Sequence, residues 1–327
     1  MNTKINIAYS SDNNYVRMLG VSLLSLLENN KEINQLNIYI IDNGIDDNNI
    51  EYLKNLVAGY SRNIYFIKFK NLCKDLKTDG KFSVSSFSRL FLSQLEDIEK
   101  IIYLDCDTII ERSLINLWNI EIDEYYIAGV EDFVTKDYRD MIGFSKKYKY
   151  INAGVLLINL RKWREDSIEN QFLKCISYFK GSVPHHDQGT LNAICKDKIL
   201  ILSPEYNVMS GFFDYTRNQI LKLAELDNYY SEEQLEFAKK NPVIIHFTAG
   251  FKNRPWNTLC SHPLKDRFKN YNDLVNNPVQ YIKQKDPINI QLMKFVFSYM
   301  PFNTYLLFIK ILKIKKKLSQ RIGEKNE

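Results

Sequence analysis

The run IIYLDCDTII, Ile101 to Ile110, places two carboxylates one residue apart inside an apolar stretch. Like charges this close repel, and acids on a buried element need a compensating cation. Read as a strand, the run turns Asp105 and Asp107 to the same side and Cys106 to the other. Converging carboxylates suit a hard divalent cation such as Mg²⁺ or Mn²⁺. The imidazole of His246 ends another apolar run, VIIH, and a borderline nitrogen ligand suits Mn²⁺ better than Mg²⁺. Each feature also has a plain alternative. The acids could be solvated in a turn, and the histidine could be structural. The polar cluster SSDNNY (10–15) could be no more than a helix N-terminus, where Ser, Asp and Asn are favoured.

The elements that must position these groups follow from periodicity. KINIAYSS predicts a first strand, and Val16, Leu19, Leu23 and Leu26 predict a helix after it. LNIYIIDN and NIYFIKF predict a second and third strand on either side of the helix IEYLKNLVAGY. SSFSRLFLSQL, with Phe87, Leu90, Phe91 and Leu95 at helical spacing, predicts a helix before the strand KIIYLDCDTII. YYIAGVED, INAGVLLINL and VIIHFTAGF predict later strands. Strands alternating with helices imply an α/β fold with a mostly parallel sheet. The acids then lie at the carboxyl end of a strand, the edge where open sheets bind ligands. The segment 214–241 is polar and helical in pattern and predicts a cap rather than core.

The chain has 327 residues, and 44 Lys+Arg against 39 Asp+Glu leave +5, too mild a balance to imply nucleic acid. The five cysteines form no C-x-x-C pair, and their odd number predicts reduced, mostly buried thiols in a cytoplasmic protein. The tail from about 276 differs in kind. It holds the apolar block LMKFVFSYMPFNTYLLFIKILKI and then KKKLSQRIGEK. Leu307, Ile311, Ile314 and Leu318 share one helical face, with Lys310, Lys313 and Lys317 beside it. That pattern predicts a small helical tail lying in a membrane interface, too short in apolar length to span it. The alternative is a helix packed on the domain with its lysines in water.

Two known patterns contain the D-x-D. One is that of metal-dependent nucleotide-sugar transferases. The other is the D-x-D-x-T of haloacid-dehalogenase-type phosphatases, which LDCDT also fits, although the chain has no G-D-x-x-x-D. The remaining motifs separate them. YINAGVLLINLRKW (150–163), HHDQGTLN (185–192) and HFTAGFKNRPW (246–256) follow in order after IAYSSDNNYVRMLGVSLLSL and the D-x-D. Together, over about residues 4–265, they resemble glycosyltransferase family 8. The resemblance implies a GT-A fold, a single Rossmann-like domain over 1–275, and a tail over 276–327. The nucleotide-sugar part would take about 1–200 and the acceptor-side part about 201–275. It also implies a UDP-glucose or UDP-galactose donor, Mn²⁺ with Mg²⁺ as the alternative, and retention at the anomeric carbon. The acceptor would be a surface glycan or glycolipid, with the enzyme peripheral at the inner face of the plasma membrane. A non-catalytic nucleotide-sugar-binding protein is the competing reading.

By the same resemblance, Tyr15 stacks on uracil, Asp12 accepts from its N–H, Asn14 meets the ribose and Ser10 contributes its backbone. Asp105, Asp107 and His246 hold the metal, and Arg89 reaches the sugar-nucleotide. Gly250 lets backbone approach the phosphates. Lys252 or Arg254 adds positive charge there, since the spacing from His246 is longer than the family's H-x-x-G-x-x-K-P-W. Asn152, Asp187 and Gln188 line the sugar pocket, and Asp132 touches the sugar, with Glu131 competing. Gln188 takes the position debated as nucleophile or stabiliser. An amide oxygen is a poor nucleophile, which favours front-face displacement. His185 and His186 are a lesser option for a second metal site.

Overall fold

In the computed structural model, which describes residues 4–69 and 84–323, β1 (Lys4–Ser11) is buried on both faces between Ile5 and Tyr9. Two-sided burial is what a central parallel strand requires. β1 pairs in parallel with β2 (Gln35–Asp42) on one side and with β4 (Lys100–Leu104) on the other, and β2 pairs in parallel with β3 (Asn63–Lys68). The chain thus builds outward through β2 and β3, then returns to start β4 across β1. Such a reversal of strand order opens a crevice at the carboxyl ends of the flanking strands.

The sheet continues through β7 (Ile151–Asn159), β6 (Ile127–Glu131) and β8 (Ile199–Ile201), in the order β3-β2-β1-β4-β7-β6-β8. β7 is antiparallel to both β4 and β6, whereas β6 and β8 are parallel. The expected mostly parallel α/β sheet is therefore present with one reversed member. Because β7 is reversed, it begins where β4 ends. That brings Asn152 and Gly154 beside Asp105, whose N–H donates to the Gly154 carbonyl at 2.8 Å.

A second sheet has the order β5-β10-β9, from β5 (Thr108–Ile110), β10 (Ile244–His246) and β9 (Val208–Met209). The stretch Ile101–Ile110, expected as one strand, is divided between the two sheets. β4 ends at Leu104, and Asp105 to Asp107 form a turn that the Thr108 hydroxyl closes by donating to the Asp105 carbonyl at 2.7 Å. β5 then pairs antiparallel with β10, setting His246 opposite Thr108. The helix Val16–Glu28 lies between the sheets. Leu19 and Leu23 join the main core, while Val21 and Leu24 join Ile109, Ile245 and Phe247. Burial on both sides explains why this helix is apolar nearly all round.

Two other expectations change. SSFSRLFLSQL forms a 3-10 segment within Val84–Gln94, kinked at Phe91, rather than an α-helix; its serines are weak helix formers. The segment 214–241 is not a cap. Its helices Arg217–Ala224 and Glu232–Lys240 send Ile220, Leu235 and Ala238 into the main core, joined by Tyr229 and Tyr230, and Ala224 is buried as well. One buried face on each helix is compatible with a polar overall composition.

The tail forms the helices Ile288–Tyr299 and Phe302–Gly323. Ile288, Leu292, Phe295 and Tyr299 form one exposed apolar stripe, and on the second helix Leu307 and Ile311 are exposed while Tyr305 is buried. Among the described residues, no helix is long and apolar enough to cross a membrane. The side chains of Lys313, Ile314, Lys317 and Leu318 lie outside the described residues, as does Cys73. Cys106, Cys175, Cys195 and Cys260 are free thiols.

Candidate active site

The turn between β4 and β5 and the end of β10 place Asp105, Asp107 and His246 together, with ligand atoms all within 4.8 Å of one another. His246 Nε2 lies 3.2 Å from an Asp107 oxygen and 3.8 Å from an Asp105 oxygen. Its other nitrogen, Nδ1, is 3.0 Å from the Asn207 side-chain oxygen Oδ1. Donation there fixes the tautomer and aims Nε2 at the carboxylates, the usual second support of a metal-ligating histidine. Two carboxylates and one imidazole form a ligand set that could hold a divalent metal ion. Among the described residues, this is the one group of His, Cys, Asp and Glu so arranged, and His185 and His186 do not form another.

Gly154 makes the arrangement sterically possible. A Cβ on it would overlap His246 Cε1 and come within 2.7 Å of Asp105 Oδ2. Neither Gly154 nor Asn207 was singled out by sequence. A glycine inside a strand is a recognised sign of close approach, and Gly154 carried it. Asn207, ahead of the two-residue β9, carried no periodic signal at all.

The two neighbouring acids are balanced by the cations around them. Arg89 Nη2 lies 2.9 Å from Asp105, its Nε lies 2.5 Å from Asp187, and its Nη1 donates to the Ala153 carbonyl at 2.5 Å. Arg254 Nη2 lies 3.0 Å from Asp107. Burial pushes the Asp107 carboxyl up, but His246 and Arg254 outweigh it and hold the group below the usual carboxylate range. Burial lowers His246 in turn, and Asp107 and Asp105 outweigh that and raise it. Burial raises Asp187, which Arg89 offsets only in part. The Cys106 thiol is pushed up by burial and donates to the Ser10 carbonyl at 3.2 Å.

A cleft of about 370 Å³ opens over this cluster at the β1/β4 switch, walled by Ser10, Asp12, Tyr15 and Arg89 as well as Asp105, Asp107 and Arg254. Asp12 Oδ1 accepts from the N–H groups of Asn14 and Tyr15 at 2.9 and 3.1 Å, ordering the loop that presents the exposed Tyr15 ring. Asn14 is exposed and is not part of the cleft wall. Lys252 also stands apart, 3.4 Å from the buried Asp214.

Beside the metal cluster lies a second polar network. Asn207 donates to Asn152 Oδ1 at 2.9 Å. Gln188 Oε1 accepts from Asn152 Nδ2 at 3.2 Å and from the Ala153 N–H at 3.1 Å. Gln188 Nε2 donates to Asp132 at 3.1 Å, and Asn152 donates to the same oxygen at 3.2 Å. Glu131, the competing choice, is buried and pairs instead with Lys149 at 2.7 Å. Asp187 and Gln188 sit in the first turn of the helix His186–Cys195. The two residues before Asp187, His185 and His186, hold left-handed φ of 57° and 49°. Consecutive non-glycine residues in that region store strain of the kind found at functional sites.

The family model for glycosyl transferase family 8 matches residues 6–260. The chain belongs to glycosyltransferase family 8. A protein of Haemophilus influenzae, provisionally named a glycosyltransferase, is 33% identical over 79% of this chain and 74% of its own length. General stress protein A of Bacillus subtilis is 28% identical over 82% of this chain and 92% of its own. A lipopolysaccharide 1,2-glucosyltransferase of Escherichia coli is 28% identical over 81% of this chain and 77% of its own. Among solved structures, the galactosyltransferase LgtC with donor and acceptor sugar analogues superposes with a TM-score of 0.67 at 22% identity, covering 88% of this chain and 99% of that one. The fold is thus GT-A, as expected, and family 8 membership sets aside the phosphatase pattern.

A prediction concerns the histidine's support. Asn207→Ala removes the acceptor that orients His246, and loss of such a partner lowers metal affinity about 10–100-fold. Titration of Mn²⁺ into the variant measures it; wild-type affinity would mean that Asn207 does not orient the ligand.

Proposed function

We propose that this family 8 chain is a retaining, Mn²⁺-dependent hexosyltransferase that moves glucose or galactose from UDP to a surface glycan or glycolipid. The observation that carries the reading is the junction of two clusters. The Asp105–Asp107–His246 ligand set connects through Asn207 to Asn152, Gln188 and Asp132. A site that must hold a diphosphate and a hexose side by side needs both clusters in contact. The E. coli relative is a glucosyltransferase and LgtC a galactosyltransferase, which supports a hexose without choosing between them. LgtC has also been solved as an active-site glutamine-to-glutamate mutant.

In this reading Tyr15 stacks on uracil, Asp12 offers an oxygen to its N–H, Ser10 and Gly250 lend backbone, and Asn14, exposed outside the cleft wall, meets the ribose only at the rim. Asp105, Asp107 and His246 would hold Mn²⁺, which when bound would supply Lewis-acid stabilisation of the leaving diphosphate. Arg254, already at the cleft wall, takes the phosphate role rather than Lys252, which Asp214 holds aside. Arg89 acts as a strut that fixes Asp105 relative to Asp187, and Asp187 and Asp132 orient the sugar hydroxyls. Asn152 and the Ala153 N–H hold the Gln188 amide oxygen, and in this reading the oriented amide stabilises positive charge on the anomeric carbon during front-face displacement. Removing one preorganised dipole of this kind slows catalysis about 10²–10³-fold. Gln188→Ala is therefore expected to lose that much in kcat with donor KM little changed; a wild-type kcat would remove Gln188 from the chemistry.

UDP release from a panel of UDP-sugars, with Mn²⁺, Mg²⁺ or EDTA, tests the function, together with the anomeric configuration of the product. Mn²⁺-dependent release from UDP-glucose or UDP-galactose with an α-linked product is expected. A β-linked product would contradict retention. UDP binding without release from any sugar, even with acceptor glycans present, would favour the binding-protein reading.

The stripe Ile288, Leu292, Phe295 and Tyr299, followed in sequence by a lysine-rich end, supports a peripheral position on an anionic membrane at the cytoplasmic face. Flotation with anionic vesicles is expected and should weaken as salt rises. Failure to float at any anionic lipid content would contradict it.

A further inference from the structure

We propose that the C-terminal helices are a working part of the donor site, clamping the loop Gly250–Arg254 in the position that donor binding needs. The inference rests on reading the cleft as a UDP-sugar site. The loop matters because Arg254, at its end, touches the metal ligand Asp107 at 3.0 Å. The loop has no helix or strand of its own, and Asn253 within it holds a left-handed φ of 58°. A segment of this kind keeps its shape only through what grips it.

From the domain side the grip is Asp214. Its Oδ2 accepts from the Phe251 N–H at 2.9 Å, and Oδ1 pairs with Lys252. Gly250 leaves room for that carboxylate, since a Cβ there would come within 2.6 Å of it. From the other side the grip belongs to the tail. The Phe251 ring centroid is 4.8 Å from that of Phe297 and 6.1 Å from that of Tyr305. The Tyr305 hydroxyl meets the Tyr215 hydroxyl at 3.0 Å, one residue from Asp214. Lys294 donates to Asn253 Oδ1 at 2.9 Å and pairs with Asp286 at 2.6 Å. Just beyond the loop, Ile282 exchanges backbone hydrogen bonds with Trp256 and Thr258, both at 2.9 Å.

Among the described side chains of the two helices, Tyr305 alone is buried. The tail has no core of its own, so its seating and the loop's shape depend on each other. If the loop is docked only part of the time, the apparent affinity for the donor falls by the docked fraction. The chemistry of an enzyme that has bound its donor is left almost unchanged. Tyr305, Phe297 and Lys294 are therefore positioning residues.

The test uses the full chain in solution without lipid, so membrane attachment plays no part. Tyr305→Ala is expected to raise the donor KM about tenfold while kcat stays within about threefold. Tyr305→Phe keeps the ring against Phe251 and is expected to return KM to within about threefold of wild type. Lys294→Met should shift KM in the same direction as Tyr305→Ala. An unchanged donor KM in a folded Tyr305→Ala variant would overturn the proposal. Amide exchange at Phe251, whose N–H rests on Asp214, is read on the same variants with no substrate. Faster exchange in Tyr305→Ala supports the clamp even if the chain proves to use another donor. Unchanged exchange would overturn the clamp whatever the donor.

Discussion

Asp105→Asn and Asp107→Asn are each expected to leave a folded protein that releases UDP at least about 10³-fold more slowly. The magnitude follows from several kcal/mol of Lewis-acid stabilisation, at about 1.4 kcal/mol per tenfold in rate. Folding should survive because the amide is isosteric and still offers an oxygen to Arg89 or Arg254, the partners seen at 2.9 and 3.0 Å. Circular dichroism checks the fold, and UDP release at saturating Mn²⁺ checks the chemistry. Turnover within about tenfold of wild type in either variant would mean that the two carboxylates do not jointly hold a Lewis-acid cation.

Gly154→Ala is expected to lose Mn²⁺-dependent UDP binding by about 100-fold or more, the upper range for disrupting a metal ligand's support. The reason is space and not backbone conformation. His246 is buried and pinned through Nδ1 to Asn207, so it cannot retreat from a Cβ that overlaps Cε1. Overpacking a strand also destabilises, by about 1–3 kcal/mol, so a control is needed. At Gly129 the nearest atoms a Cβ would meet belong to the Ile151 and Leu156 side chains, at 2.7 and 3.2 Å. Gly129→Ala should show a comparable loss of stability with Mn²⁺ dependence intact. Equal Mn²⁺ dependence in the two variants would remove Gly154 from the metal site.

The strands and their order along the chain were legible because buried strands in this chain are long apolar runs, as in KINIAYSS and INAGVLLINL. The reversal of β7 was not legible. A strand buried on both faces reads the same in either direction, and only its pairing with β4 and β6 fixes the sense. The division of Ile101–Ile110 between two sheets was hidden for a similar reason, since Thr108–Ile110 is as apolar as Lys100–Leu104 and the turn between them carries no Gly or Pro. At the site, Asp105 and Asp107 stood out because paired acids in an apolar run are unusual, whereas His246 was placed with them by its position in the family-like motif HFTAGFKNRPW. Asn207 and Asp214 escaped notice because their roles arise only from contacts across the chain, with His246 and with Phe251. The polar segment 214–241 misled because composition does not reveal one buried face per helix, here Ile220 and Ala224 on the first helix and Leu235 and Ala238 on the second.

The measurement that tests the central claim most directly is binding of Mn²⁺ in the presence of UDP, followed by paramagnetic resonance of the ion. The account predicts one tightly held Mn²⁺ per chain whose signal broadens on adding UDP, and loss of both effects in the Asp105→Asn/Asp107→Asn double variant. UDP bound equally well in EDTA, or a Mn²⁺ signal unaltered by the double substitution, would contradict a metal bridging these carboxylates and the diphosphate.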